Sequence, residues 1–416
     1  MNMSEQINNR EFRKNVIKQV ILELHEGKSV EDVKQKFEDA FAGVSAMEIS
    51  EAEQALINEG LAVSEVQSLC DVHAAVFKGS IEEIHQSTDQ SEIPGHPVNI
   101  LKRENRALEK LINMQLKPHL DALKDNDGIE MLKSDLEVLS KIDLHYLKKE
   151  NLLFPYMEKY GITAPPKVMW GVDDEIRAQL KQVKLELSIK GKSFQEQKDM
   201  IESLAIRIKE MIFKEENIML PMLIDLLTQE EWKSIADESG EIGYMIDNVP
   251  EWKPSSTDVE DGKNEGTIKD EEAHNENVPI ASGVINFPTG QLKFEELNKM
   301  LDMLPFDITF VDKEDTVKYF SQGEDRIFPR TKAVIGRKVS NCHPPASAHI
   351  VEKIVEDFKA GKKDHEDFWI NMGGRFVLIR YYAVRSETGE YLGVLEVTQD
   401  IKPIQEITGE KRLVTE

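Results

Sequence analysis

A nine-residue pattern occurs twice in this 416-residue chain and constrains its fold more than any other feature. Lys149-Glu-Asn-Leu-Leu-Phe-Pro-Tyr-Met is similar to Glu215-Glu-Asn-Ile-Met-Leu-Pro-Met-Leu, and the offset from Glu150 to Glu216 is 66 residues. Each copy lies in a stretch whose apolar residues recur at helical spacing. Two helix pairs duplicated at this distance predict a single four-helix bundle.

Composition divides the chain into five segments. Residues 1–90 have a charged, helical pattern, and residues 249–284 form an acidic linker with almost no large apolar side chains. Residues 285–404 predict two strand hairpins around an amphipathic helix, and residues 405–416 are a tail. Residues 91–248 hold the bundle, with helices expected at about Val98–Ala122, Gly128–Tyr160, Asp173–Ile189 and Ser193–Leu227. The predicted fold is mainly α with a C-terminal α+β domain.

The charge balance limits the partners of the chain. Asp and Glu number 77 against 52 Lys and Arg, a net charge of −25 that argues against nucleic-acid and anionic-membrane partners. No stretch approaches the roughly 20 apolar residues of a membrane span, and the N-terminus has no apolar signal core. We therefore expect a cytoplasmic protein, and the two distant cysteines predict no disulfide framework.

Histidine and carboxylate residues in the predicted bundle are candidate metal ligands. Bundle metal sites use such side chains pointing inward from facing helices, and a donor set without thiolate suits iron or manganese. His145 and Glu150 are five residues apart, or about 140° around a helix, whereas the fourth position is Lys149. Such a pair can serve two metals if the carboxylate bridges them; the alternative is a set of solvated charges. The predicted ligands are His96, His145, Glu150, Asp174 and Glu216, with Glu104, Asp173 and Glu215 as additional candidates.

Four segments resemble the hemerythrin family's HHE cation-binding domain: Gly95-His-Pro-Val, Lys102-Arg-Glu-Asn, His145–Pro155 and Phe213–Pro221. The stretch from Pro165 to Arg177 is similar to the subgroup in multidomain bacterial proteins, in which a helical domain of unknown function precedes the bundle and a PAS domain follows it. The resemblance covers nearly the whole chain and implies a nonheme iron site, with two irons, at the residues named above.

The second half of the bundle has no histidine, and Met211 stands where the counterpart of His145 would fall. This set is closer to ferritin-like diiron sites than to an oxygen carrier.

The segment Leu69-Cys-Asp-Val-His-Ala-Ala-Val-Phe-Lys-Gly resembles the signature of the unknown-function domain. Cys70 and His73 are three residues apart and share a helix face, so His73 is a further candidate metal ligand. The alternative is a buried cysteine beside a packing or capping histidine.

Three C-terminal segments resemble a PAS domain: Leu304–Ser321, Ile335-Gly-Arg-Lys-Val and Arg380–Ile401. Cys342, His343 and His349 are candidate ligands of heme or another PAS cofactor, because thiolate and imidazole are axial heme ligands. Alternatively, Pro344-Pro345 only begins a helix. The amphipathic segment Lys293–Leu304 is a candidate dimer helix.

We therefore expect a sensor or regulatory protein. Its bundle would bind iron and respond to oxygen, nitric oxide or redox state, and its PAS domain would relay the signal through a protein partner or a homodimer. No catalytic residue is predicted. The alternatives are a diiron enzyme acting on peroxide or nitric oxide, and a heme-binding PAS sensor with a structural bundle.

Overall fold

The computed structural model describes scattered residues between 12 and 60, and residues 90–123, 126–189, 193–254, 283–323 and 326–410. Most described residues between 12 and 60 are helical. Cys70 and His73 lie outside the described residues, as does most of the predicted linker. The chain divides into two compact units between Val259 and Glu260.

Nine α-helices build the bundle in the described parts of residues 90–254. They are α1 (Pro97–Leu111), α2 (Lys117–Asp121), α3 (Asn126–Leu139), α4 (Ile142–Lys148), α5 (Phe154–Lys159), α6 (Ala164–Glu186), α7 (Phe194–Lys214), α8 (Leu220–Leu226) and α9 (Gln229–Ile242). Four long helices correspond to those expected from the sequence. The first is α1 and α2 joined by a π-helical turn, and the second is α3, α4 and α5 joined by a turn at Ser140–Lys141 and by a π-helical turn. The third is α6, and the fourth is α7 and α8 joined by a π-helical turn. Helix α6 begins earlier than expected, because Pro165 and Pro166 lie in its first turn, where no backbone donor is needed. Helix α9 is an addition, opened by a capping box between Thr228 and Glu231.

Three π-helical turns interrupt the long helices, at Ile112–Leu116, Lys149–Leu153 and Glu215–Met219. The last two fall on the two copies of the repeated pattern, which therefore adopt the same local structure. Each is followed by a proline in the first turn of the next helix, where the missing N–H costs least. Turns of this kind are frequent at functional sites.

The bundle core is apolar and continuous, and the segment after α9 completes it. Leu108, Phe154, Ile176, Leu204 and Leu223 are almost fully buried within it. Trp252, which composition places in the linker, is only 6% exposed and belongs to the same core. Gly95 lets this segment approach, since a Cβ there would lie 2.5 Å from the carbonyl oxygen of Pro250. Among the described residues, no helix combines the length and apolar character that crossing a membrane requires.

The elements of the second unit are β1 (Val284–Phe287), β2 (Gly290–Lys293), α10 (Phe294–Asp302), β3 (Asp307–Asp312), β4 (Val317–Phe320), α11 (Pro345–Lys359), β5 (His365–Met372), β6 (Arg375–Arg385), β7 (Tyr391–Asp400) and α12 (Lys402–Gln405). Five of the strands form an antiparallel sheet in the order β4-β3-β7-β6-β5, and β1 and β2 form a separate hairpin. The apolar core of this unit includes Val311, Val317 and Val394 of the sheet, with Val355 and Phe358 of helix α11. The two predicted hairpins correspond to β3–β4 and β6–β7. The predicted fold class, mainly α with a C-terminal α+β domain, is confirmed.

Candidate functional site: a buried ion network in the bundle

His145 lies at the centre of a buried polar cluster between three helices. Its Nδ1 is 2.8 Å from Oε2 of Glu104 in α1, and its Nε2 is 3.0 Å from Oε2 of Glu215 in the π turn after α7. All three side chains are at most 2% exposed. A carboxylate accepts hydrogen bonds, so both ring nitrogens donate and the imidazole is held as an imidazolium.

Two adjacent lysines supply further positive charges to these two carboxylates and to a third one, Asp173. Lys149 Nζ donates to Oδ1 of Asp173 at 2.8 Å and to Oε1 of Glu215 at 2.5 Å, and its side chain is fully buried. Lys148 Nζ donates to Oε1 of Glu104 at 2.8 Å and to the carbonyl oxygen of Gly243 at 2.9 Å. The Lys149 ammonium also lies 4.4 Å from the ring centroid of Tyr146, a cation–π contact. Both oxygens of Glu104 and of Glu215 thus receive hydrogen bonds from cationic groups.

The three other predicted carboxylate ligands lie in separate ion pairs. Arg177 of α6 binds Glu150 through both terminal nitrogens, at 2.6 and 3.0 Å, and also contacts Asp174 at 3.0 Å. Glu216 accepts a hydrogen bond from Asn105 at 3.1 Å and pairs with Arg106. The structure therefore groups His145 with Glu104, Glu215 and Asp173, and places Glu150, Asp174 and Glu216 beside arginines.

His96 caps α1, and its contacts are those of a buried packing residue. Its Nδ1 accepts from the backbone N–H of Val98 at 3.2 Å, and its ring contacts Trp232 and Trp252 at centroid distances of 5.0 and 4.6 Å. Its Nε2 is buried and has no hydrogen-bond partner among the described residues. No hydrogen bond or ion pair of His96 in the described part of the chain reaches another predicted ligand.

Opposing effects of burial and charge act on the cluster. Burial disfavours the charged form of His145, but Glu215 and Glu104 outweigh it and raise its pKa to about 9. Burial likewise opposes ionisation of Glu215, but Lys149 and His145 lower its pKa to about 2. Burial raises the pKa of Glu150 to about 7, against the effect of Arg177. Glu215 is thus ionised and His145 charged at neutral pH.

The donor chemistry of this cluster does not fit an iron centre. A histidine ligand needs a free lone pair, but both nitrogens of His145 donate to carboxylates. Three cationic groups, His145, Lys148 and Lys149, already match the three carboxyl groups of Glu104, Asp173 and Glu215. Among the described residues, no group of three or more His, Cys, Asp or Glu is arranged to hold a metal ion. The predicted ligand set stays a prediction, which metal analysis tests.

Lys148, Lys149 and Arg177 were not among the predicted site residues, although the sequence contained one signal for Lys149. In the repeated pattern Lys149 is the counterpart of Glu215, and it lies four residues after His145. A cation at a position where the other copy has a carboxylate indicates an internal ion pair. No comparable local signal marks Lys148 or Arg177.

The three PAS candidates lie in different surroundings. Cys342 ends a short 3₁₀ turn and packs against the sheet core, while His349 is exposed on α11. His343 is half-buried, and burial lowers its pKa. The sheet also carries an unpredicted buried ion pair, in which Nη2 of Arg330 donates to Oε2 of Glu396 at 2.8 Å.

Comparison with known families finds three matches along the chain. A profile of the hemerythrin HHE cation binding domain matches residues 96–223, a family of unknown function (DUF438) matches residues 17–83, and a PAS domain matches residues 297–402. A search of curated proteins found no significant match.

Several solved structures are similar to part of the chain. A C-terminal domain from Streptococcus mutans is 37% identical, over 30% of this chain and 98% of its own, with a TM-score of 0.30. A sensory box sensor histidine kinase from Vibrio cholerae is 15% identical, over 26% and 90%, with a TM-score of 0.21. A PAS domain from Colwellia psychrerythraea is 16% identical, over 26% and 97%, with a TM-score of 0.22.

The hemerythrin HHE and PAS matches support a protein of the sensor or regulatory class in general. The chain is a multidomain hemerythrin HHE-domain protein, with an N-terminal DUF438 segment and a C-terminal PAS domain.

Proposed function

We propose that this protein is a sensor whose PAS domain relays a signal by contact with a second copy of the chain. The observation that carries the proposal is the apolar ridge of α10, which precedes the PAS sheet. Phe294, Leu297 and Met300 follow one another at intervals of three residues and span about 120° of the helix surface, so they lie along one side of the helix, and Met303 follows at its C-cap. Phe294, Met300 and Met303 are 48%, 55% and 82% exposed, and no residue of α10 is buried. Such a ridge favours helix-to-helix contact.

The test is the molar mass of the purified full chain, measured by light scattering during size-exclusion chromatography. We expect a dimer, and we expect the double variant Phe294→Glu, Met300→Glu to shift it to a monomer. Lys299→Glu is the matched control on the same helix, because Lys299 is exposed and lies outside the ridge. A wild-type chain that is monomeric at high concentration would contradict the homodimer.

The cofactor of the sensor is a separate question. A nonheme diiron centre with a response to oxygen, nitric oxide or redox state is the prediction from the family, and the donor set of the bundle does not favour it. The diiron enzyme has the same weakness. Heme at Cys342 or His343 is a prediction that an absorption spectrum of the purified protein tests, with His343→Ala as the variant.

A further inference from the structure

The ammonium group of Lys149 lies where carboxylates from facing helices converge. Its two acceptors come from α6 (Asp173) and from the π turn after α7 (Glu215), while Lys149 itself begins the π turn after α4. Inward carboxylates from facing helices are also how bundles hold metal ions. Here a side chain of the bundle supplies the positive charge at their meeting point.

The internal repeat explains how the cation comes to be there. Lys149 and Glu215 are counterparts in the two copies of the pattern, and both begin π turns. With glutamate at both positions, two facing carboxylates would repel each other until a cation bound between them. With lysine in one copy, the two counterparts neutralise each other directly.

We propose that the ammonium group of Lys149, assisted by that of Lys148, takes the place of a bound metal ion in this HHE domain, so that the bundle folds without bound iron. The inference goes beyond the sensor function proposed above and does not depend on it. Lys148 supplies the positive charge beside Glu104, as Lys149 does beside Glu215. Oε1 of Glu104 also accepts a hydrogen bond from the backbone N–H of Met245 at 2.9 Å. His145 joins the two halves by donating to Glu104 and to Glu215.

Charge counting supports the same conclusion. The cluster of His145, Lys148 and Lys149 with three carboxyl groups has no negative charge in excess. A divalent cation placed among them would lie beside two buried ammonium groups, and burial makes such repulsion expensive. A metal would therefore have to displace both lysines from fully formed ion pairs.

The experiment measures metal content and melting temperature of the full chain made in iron-replete cells. We expect iron, manganese and zinc well below one ion per chain, and a Tm that a strong chelator does not change. One or more irons per chain, removed by the chelator together with a fall in Tm, would overturn the proposal.

A gain-of-binding variant makes the test sharper. Lys149→Glu restores a carboxylate four residues after His145 and opposite Glu215, on one helix face. We expect this variant to take up a stoichiometric divalent ion, iron(II) or manganese(II), and its Tm to become sensitive to the chelator. Lys181→Glu makes the same charge change at an exposed position of α6 and is the matched control. Uptake by the control as well as by Lys149→Glu would count against a specific role of Lys149. If Lys149→Glu does not fold, the wild-type metal content and melting still decide.

Discussion

Lys149 Nζ lies 2.5 Å from Oε1 of Glu215, and these two residues occupy equivalent positions in the duplicated pattern. A pairing of this kind breaks the internal symmetry of the bundle at a pair of buried polar residues. It replaces two like charges with an ion pair, while the surrounding backbone, with its two π turns, keeps the symmetry.

Removing the Lys149 charge is expected to destabilise the bundle strongly. Lys149→Met keeps much of the side-chain volume but leaves Glu215 and Asp173 without their cation, and breaking a buried pair typically costs 3–5 kcal/mol, an order-of-magnitude figure. Hydrogen exchange of α7 amides measures the loss in the bundle alone. Lys181→Met, at an exposed site, is the control and should change stability by at most about 0.5 kcal/mol. Equal exchange rates in the two variants would disprove a stabilising role for the Lys149 pair.

Acid should weaken the bundle through His96. Burial lowers the pKa of His96 to about 4 from the ordinary 6.5. Between these two pH values His96 is protonated in the unfolded chain and neutral in the folded chain. The contribution of neutral His96 to the free energy of unfolding is fully present above pH 6.5. It is lost as the pH drops from 6.5 towards 4, and a pKa shift of this size corresponds to about 3 kcal/mol.

His96→Asn removes this titration and retains a side chain that accepts from the N–H of Val98, because asparagine is a preferred N-cap residue. Urea unfolding at pH 7 and pH 4.5, followed by tryptophan fluorescence, compares the two proteins. We expect wild type to lose more stability than the variant. Parallel losses would show that His96 is not held in its neutral form.

The approach of the 250–252 segment to the start of α1 is tested by glycine replacement. Gly95 and Gly161 have φ angles of +84° and +82°, so alanine is similarly strained at both, by about 1–3 kcal/mol. Only at Gly95 would the new Cβ meet neighbours, with the oxygen of Pro250 at 2.5 Å, whereas Gly161 has nothing within 4 Å. We expect Gly95→Ala to lower Tm more than Gly161→Ala and to increase the exposure of Trp252 to a fluorescence quencher. Equal effects would mean that the segment adjusts without cost.

The PAS core should depend on the Arg330–Glu396 pair. Both side chains are about one-tenth exposed, and in the strand registers Glu396 is opposite Thr309 and Tyr381. Arg330→Met leaves a buried carboxylate unpaired and is expected to cost roughly 3–5 kcal/mol, whereas Glu396→Gln keeps an acceptor for Arg330 and should cost less. Hydrogen exchange of β7 amides in the full chain measures both. A larger loss in Glu396→Gln than in Arg330→Met would contradict this order.

Local patterns were sufficient to predict the architecture. Apolar residues at helical spacing predicted the four long helices, and alternating residues around short turns predicted the β3–β4 and β6–β7 hairpins. The repeat predicted that two helix pairs share one bundle. These features depend on neighbours in sequence, since a helix or hairpin is formed by residues that are close along the chain.

The composition of the ion network was only partly predictable. Glu104, His145, Asp173 and Glu215 were candidates by residue type, but counting around a regular helix could not tell which of them meet. A π turn adds a residue to the helical turn and changes the angular position of everything after it, and both copies of the pattern contain one. Residue type also suggested metal ligands, because carboxylates and imidazoles suit metals and ion pairs alike.

The amino-acid sequence by itself determined the helices, the hairpins, the duplicated pattern and the domain order. Helices and hairpins depend on short-range sterics and on the periodicity of apolar residues, and both are properties of residues that are close along the chain. Tertiary structure decided which charges neutralise each other. Glu104, Asp173 and Glu215 lie far from His145 and Lys149 along the chain and on other helices, and their ion pairs exist only where packing buries them together. The physical reason is that a buried carboxylate requires a cation nearby, and only the folded bundle selects Lys149 as that cation.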